Sequence, residues 1–459
     1  MNKFIGDRAF YKRVLRVMLP ITLQNVITNF VSILDNIMVG QLGTEPMSAV
    51  AIVNQLFFVY AICLLGGTSG AGIFTAQYSG KGDDEGIAQT VRIKLMLGLG
   101  ILTAALALCL TIGDRLVMAF IHDGDAGLDT EATFGYAMSY LRIILLGLPA
   151  FTLTQVFAST LSETGETVVP MRASVVSMLT NFVGNCILIF GLFGAPALGV
   201  RGAAIATVTA RYLECAIVLG WNIRHRREKA YVGRVFADHR IPTPLLKNVA
   251  MRGLPLMVNE MLWSGGVTMV NQSYSMRGLD AVAAVSIANS TYDLFMCGCF
   301  AMGTTVSIII GQVLGSGDLE RAVDEDRKLI ALSLAIAVMF GGLLTLAAPY
   351  IPMLYNAAPS VQSLASSLLC VIALLLPVNS FENSCYFTMR SGGRVLITML
   401  FDSVYLWVLS WPVSFVLTRF TALSLVPVFI LVRSMDFLKC IAGYILVKKR
   451  VWVRNLVAE

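Results

Sequence analysis

Residues 19–43 read LPITLQNVITNFVSILDNIMVGQLG, from Leu19 to Gly43, and their reading decides the fold. The stretch is apolar enough to sit in a bilayer, has a proline at its start, and carries a single carboxylate, Asp35. A charged group at membrane depth costs a few kcal/mol or more, so it needs a partner, a proton or an ion. Asp35 is therefore a candidate coupling-ion site of a secondary transporter, and the rest of the chain is expected to be its scaffold.

Outward from that stretch the pattern repeats. Of the 459 residues, 56% are hydrophobic and only 14% charged, against roughly 25% charged in soluble domains. Apolar runs near the ~20 residues that span hydrocarbon occur at 14–39, 48–76, 92–113, 135–158, 168–190, 199–221, 249–275, 283–313, 329–349, 362–388, 395–417 and 424–447. These runs are too long and continuous for barrel strands, and lipid-exposed backbone must satisfy its own hydrogen bonds. The expectation is an all-α membrane protein of about twelve transmembrane helices. The first run is too long for a signal-peptide core and reads as retained.

Loop charges set the orientation. The connection RHRREKAYVGRVFADHR opens a region with seven Lys/Arg between Arg224 and Lys247, and both termini are basic. The connection after the third span is acid-rich, with Asp114, Asp123, Asp125, Asp129 and Glu131 against Arg115. The positive-inside rule then puts both termini and the middle loop in the cytoplasm. The same rule accounts for the net charge of +6 without invoking nucleic acid. The nine cysteines fall in apolar segments without metal-ligand spacing and read as helix packing.

The middle loop divides the chain into an N-terminal lobe (1–222), a basic linker (223–247) and a C-terminal lobe (248–459), with six helices in each lobe. An internal repeat supports the division. Leu19-Pro20 recurs as Leu254-Pro255, 235 positions on, and at that offset Gly43, Ala49-Val50, Ile52 and Asn54 recur as Gly278, Ala284-Val285, Ile287 and Asn289. QxxGxGDxE at Gln77–Glu85 likewise meets Gln312–Glu320. Two such bundles joined by a linker follow the parallel-repeat plan of alternating-access transporters.

Asp35 maps onto Val270, so the carboxylate belongs to the first half alone. Candidate companions are Asn181 and Asn185, four apart and on one helix face, and Ala203 and Thr207, also four apart. One carboxylate with neutral oxygens suits a hard cation such as Na+, and a desolvated carboxylate could instead carry a proton. The competing reading is that the asparagines stitch helices together. The second half holds Glu260, Asp293 and Glu382 near amide and aromatic neighbours, which suits an organic cation. Gln24 and Asn259 join them as candidate cavity residues, each with internal hydrogen bonding as its plain alternative. Arg211/Glu214 and Arg433/Asp436 read as i,i+3 ion pairs. His122, His225 and His239 lie in or near loops, and no catalytic constellation is present.

Together these residues resemble the multidrug and toxic compound extrusion (MATE) transporters of the MOP superfamily over essentially the whole chain, and within them the DinF-like bacterial branch. The likeness rests on LP followed by Asp35 in DNIMVGQLG, the repeated QxxGxGD turn, NxxxNxxxIFG leading into GVRGAAIAT, and RSGG at Arg390–Gly393. The resemblance implies two six-helix lobes in a bacterial cytoplasmic membrane. It implies antiport of organic cations or drugs against H+ or Na+, with no cofactor and no enzymatic activity, by a monomer. It places the coupling site on Asp35, Asn181, Asn185, Ala203 and Thr207, with Asp35, Asn181 and Thr207 as candidate Na+ ligands and Pro20 as the helix-bending residue. Many relatives carry Asp where this chain has Asn185, which weakens Na+ binding or leaves proton exchange at Asp35. Glu260 and Glu382 sit about one turn from the acids that other branches carry in the seventh and tenth helices. The alternative is a lipid or lipid-linked oligosaccharide flippase of the same superfamily, for which a basic cavity is expected.

Overall fold

The computed structural model describes residues 4–121, 129–237, 240–355 and 357–458; His122, Asp123, Asp125 and His239 lie outside them. In chain order the helices are α1 (Arg8–Gly40), α2 (Thr44–Lys81), α3 (Asp84–Met118), α4 (Thr130–Glu163), α5 (Val168–Phe190) and α6 (Val200–Arg224). A short α7 (Ala230–Ala237) follows, then α8 (Thr243–Ser275), α9 (Leu279–Gly315), α10 (Leu319–Ala347) and α11 (Pro359–Ser391). The last are α12 (Val395–Met399), α13 (Trp411–Phe420), α14 (Leu425–Ser434) and α15 (Asp436–Lys448). Two π-helical turns, Leu400–Val404 and Leu406–Ser410, join α12 to α13. The chain is an all-α membrane protein.

Among the described residues, ten helical segments are long and apolar enough to cross a membrane. The two other expected spans are helical as well. One is α8, whose Lys247, Arg252 and Glu260 dilute its apolar character; the other is divided at Met435 into α14 and α15. Residues 230–237 form a short helix inside what reads in sequence as a linker.

The paired QxxGxGD turns have a common physical cause. Gly82 and Gly317 adopt positive φ (73° and 86°), where a Cβ is unfavourable. Asp83 and Asp318 follow as N-caps, accepting from Gly86 N at 3.0 Å and Arg321 N at 3.1 Å. They satisfy donors that a helix start leaves open.

The chain divides into two compact units. One comprises 23–75 and 83–253; the other comprises 1–22, 76–82 and 254–459. The chain passes from one unit to the other after Thr22 in α1 and after Gly253 in α8, close to the repeated Leu-Pro pairs. Pro20 is buried inside α1 and Pro255 lies inside α8, where each removes a backbone donor and loosens the helix. The first unit is built on a core of Leu64, Leu102, Tyr140, Leu145 and Leu148 with Ala203 and Ala204. The second has a core around Ala284, Ala288, Leu368, Leu369 and Phe429.

Candidate functional site

In the unit of 23–75 and 83–253, α1, α5 and α6 bring Asp35, Asn181, Asn185 and Thr207 together. The approach of α5 to α6 depends on small residues. A Cβ on Gly202 would collide with the Leu188 carbonyl, and one on Gly184 would lie 2.9 Å from the Ala206 Cβ. That close packing holds the α5 amides against the α6 hydroxyl.

Asn185 Nδ2 donates to Asp35 Oδ1 at 2.6 Å. The Asn181 amide is assigned with its nitrogen toward Asp35, where it donates to both carboxylate oxygens at 3.0 and 3.1 Å and accepts from Thr207 Oγ1 at 3.1 Å. The reverse orientation would set an amide oxygen against the carboxylate. Asn181 and Asn185 are buried, while Asp35 and Thr207 are half-buried. Ala203 is buried one turn before Thr207, within the core. Tyr140 on α4 belongs to the same buried core as Ala203. Asn185 Oδ1 is buried without a hydrogen-bond partner, a free acceptor beside the acid. Among the described residues, Asp35 forms no ion pair. The geometry therefore gathers a carboxylate, amide groups and a hydroxyl with no basic counter-charge, a set able to hold a proton or a small hard cation.

Gln24 on α1 donates to Ser174 Oγ at 2.9 Å, and Ser174 donates to Glu214 Oε1 at 2.6 Å. Here the i,i+3 reading of Arg211 and Glu214 is corrected. The Arg211 guanidinium lies 3.9 Å over the Phe57 ring and 4.9 Å from that of Phe151, and the acid is taken by a hydroxyl. The second half does the same. Arg433 stacks on Tyr292 and Phe429 at 5.2 and 5.4 Å, and Asp436 accepts from Asn379 at 3.2 Å. Tyr292 stands 235 positions after Phe57, so the stacked pair is part of the repeat. Aromatic faces from neighbouring helices compete successfully with the i,i+3 acid for a guanidinium.

In the other unit, Asn259, Glu260 and Glu382 gather in one interior, and Asp293 is exposed on α9 within the field of Arg433. Glu260 Oε1 lies 3.7 Å from Arg390, and Glu382 Oε1 3.5 Å from Lys439. Asn259 donates to Tyr386 Oη at 3.3 Å and to Asp402 Oδ2 at 3.4 Å, while Ser403 donates back to Asn259 Oδ1 at 2.7 Å. Asp402 and Lys439 were not singled out in the sequence. Lys439 sits four residues past the break at Met435 in the last apolar run, and Asp402 lies in a π-helical turn whose side-chain register no 3.6-residue pattern gives. The interior of this unit is consequently less acidic than the carboxylates alone suggest.

The MatE family model matches residues 20–187 and 255–416, two blocks that begin at the repeated prolines. A protein of Thermotoga maritima called probable multidrug resistance protein NorM is 25% identical over 423 residues, 91% of this chain and 88% of that protein. The Bacillus subtilis probable multidrug resistance protein YoeA is likewise 25% identical over 423 residues, 90% of this chain and 88% of its own length. In fold the chain is similar to a variant of the Vibrio cholerae MATE transporter VcmN, with TM-score 0.87, 18% identity and coverage of 98% and 99%. It is also similar in fold to a MOP superfamily transporter from Pyrococcus furiosus, described as having a binding pocket of reverse polarity that suggests a different function. That match has TM-score 0.85, 21% identity and coverage of 98% and 97%. The matched blocks take in most of the chain and both halves of its repeat, and the chain belongs to the MatE family, a family of multi-pass membrane transporters rather than enzymes.

Proposed function

We propose that the protein exports organic cations or drugs across the bacterial cytoplasmic membrane by alternating access, driven by inward movement of H+ or Na+ through Asp35. The observation that carries this reading is an acid without a basic partner, held by Asn181 and Asn185 next to Thr207. A membrane carboxylate so placed is stable only with a proton, an ion or enough donors. The names of the NorM and YoeA relatives support a drug as cargo.

In this reading 1–222 and 248–459 work as two lobes joined by 223–247 in a monomer with both termini cytoplasmic. Asp35 takes its ion from outside; the neutralised acid lets α1 repack about Pro20, and the affinity for the drug falls. Such linkage is ordinarily worth about 1–3 kcal/mol. A flippase would need free basic charge in its cavity. Lys439 and Arg390 are each opposed by carboxylates, which favours the drug reading.

The test is efflux of ethidium from proteoliposomes with an H+ or a Na+ gradient imposed one at a time. Uphill efflux under one of them is expected. Movement of lipid-linked oligosaccharide without any gradient, and none of ethidium, would replace this reading with the flippase.

A further inference from the structure

The interior of the unit that includes 254–459 holds its acids in a different way from Asp35. Lys439 Nζ lies 3.5 Å from Glu382 Oε1 and 3.6 Å from Asp402 Oδ1, so one ammonium sits between carboxylates of α11 and of the π-helical turn after α12. The Lys439 side chain is only 8% exposed. Its Nζ also lies 5.3 Å from the Tyr405 ring, a cation–π distance. Asn259 and Tyr386 complete the wall, and Glu382 Oε2 is buried without a hydrogen-bond partner.

The neighbouring charges are engaged too. Glu260 faces Arg390, Asp436 accepts from Asn379, and Arg433 stacks on aromatic rings. Two carboxylates around one monovalent cation, one of them also bound by the Asn259 amide, are the anionic part of an ion site. Here that cation is covalently part of the chain. A tethered ammonium stays with the chain and cannot exchange with ions in solution.

We propose that Lys439 is the resident cation of the C-terminal half: its ammonium fills the place of a coupling ion between Glu382 and Asp402, so that ions cross at Asp35 alone and Lys439 sets the ion-to-drug stoichiometry. The inference rests on the ion-coupled reading of Asp35. It goes beyond that reading by assigning the second charged cluster a role in which no ion is exchanged. Removing the ammonium would leave Glu382 and Asp402 without the cation they share, with Asp436 adding further negative charge nearby and Arg433 the remaining cation, an arrangement that recruits Na+ or H+ from solution.

The experiment measures binding of radiolabelled Na+, and proton uptake in weakly buffered solution, on the purified full-length protein in nanodiscs. D35N should show neither saturable Na+ binding nor ligand-linked proton uptake. D35N/K439M should regain one class of cation site, and D35N/K439R should behave as D35N. A folded D35N/K439M protein that binds neither cation overturns the proposal. Should K439M not fold, D402N gives an independent readout as ions moved per ethidium in proteoliposomes. An unchanged ratio supports a resident lysine, and a fall by one ion overturns it. Cation binding retained in D35N counts against the Asp35 assignment instead, and if D35N/D402N then loses it, against Lys439 as the resident cation as well.

Discussion

Asn185 Nδ2 stands 2.6 Å from Asp35 Oδ1, a bond that runs from α5 to α1 inside one compact unit. The donor is an amide, so it stabilises the ionised carboxylate without cancelling its charge. Asp35 is thereby held in place and left able to take a cation. The acceptor oxygen of the same amide, buried and without a partner, faces the same problem from the other side and would be satisfied by a bound ion.

Asn185→Ala removes that donor and that acceptor together. A hydrogen bond to a charged group is worth roughly 1.5–3 kcal/mol, so the cation concentration for half-maximal drug efflux is expected to shift by about tenfold or more. Asn185→Asp adds a second carboxylate and is expected to tighten Na+ binding. Efflux measured against a cation titration checks both; unchanged half-maximal values in the two variants would remove Asn185 from the site.

The ends of α2 and α9 cross with no room to spare. A Cβ on Gly80 would run into the Gln312 carbonyl, and one on Gly315 into the Gln77 carbonyl. Positions 80 and 315, like 77 and 312, are repeat equivalents, so each glycine receives the other helix's glutamine backbone. Gly80→Val and Gly315→Val are each expected to cost about 1–3 kcal/mol by overpacking. A thermal-shift assay in detergent reads the loss, with Gly100→Ala as control, since nothing lies within 4 Å of its added Cβ.

Gln77 also holds the C-terminal tail. Its Nε2 donates to the Ser391 carbonyl at 3.1 Å and the Arg454 carbonyl at 3.3 Å, and its Oε1 accepts from Leu456 N at 2.7 Å. Lys81 adds a bond to the Val457 carbonyl at 2.9 Å, and Trp452 is buried nearby in the same tail. Gln77→Ala leaves buried backbone groups unsatisfied, at about 1–3 kcal/mol. Hydrogen exchange over residues 450–458 should therefore speed up by tenfold or more, with exchange in α5 unaltered. Equal protection in both proteins would show that the tail is held by Trp452 instead.

Much of this architecture is legible in the sequence because membrane helices satisfy their own backbone and announce themselves by length. The 235-residue repeat shows as identities at the positions where geometry admits few residues, such as Gly82 and Asp83 with Gly317 and Asp318. The grouping of Asp35 with Asn181, Asn185 and Thr207 is likewise accessible, because polar residues four apart on an apolar helix share a face. What the sequence hides is competition between partners. Nothing in the spacing of Arg211 and Glu214 says that Phe57 lies closer to the guanidinium. Asp402 and Lys439 are hidden for another reason: a π-helical turn and a helix break at Met435 change the register, so their convergence depends on backbone irregularity.

The central claim is that exchange of a cation at Asp35 drives the cargo outward. Ethidium or norfloxacin efflux should be compared between wild type and Asp35→Asn in proteoliposomes carrying an imposed H+ or Na+ gradient, with drug binding at equilibrium confirming that the variant is folded. Asp35→Asn is expected to bind drug and to lose gradient-driven efflux altogether. Efflux by Asp35→Asn at the wild-type rate under the same gradient would contradict the account.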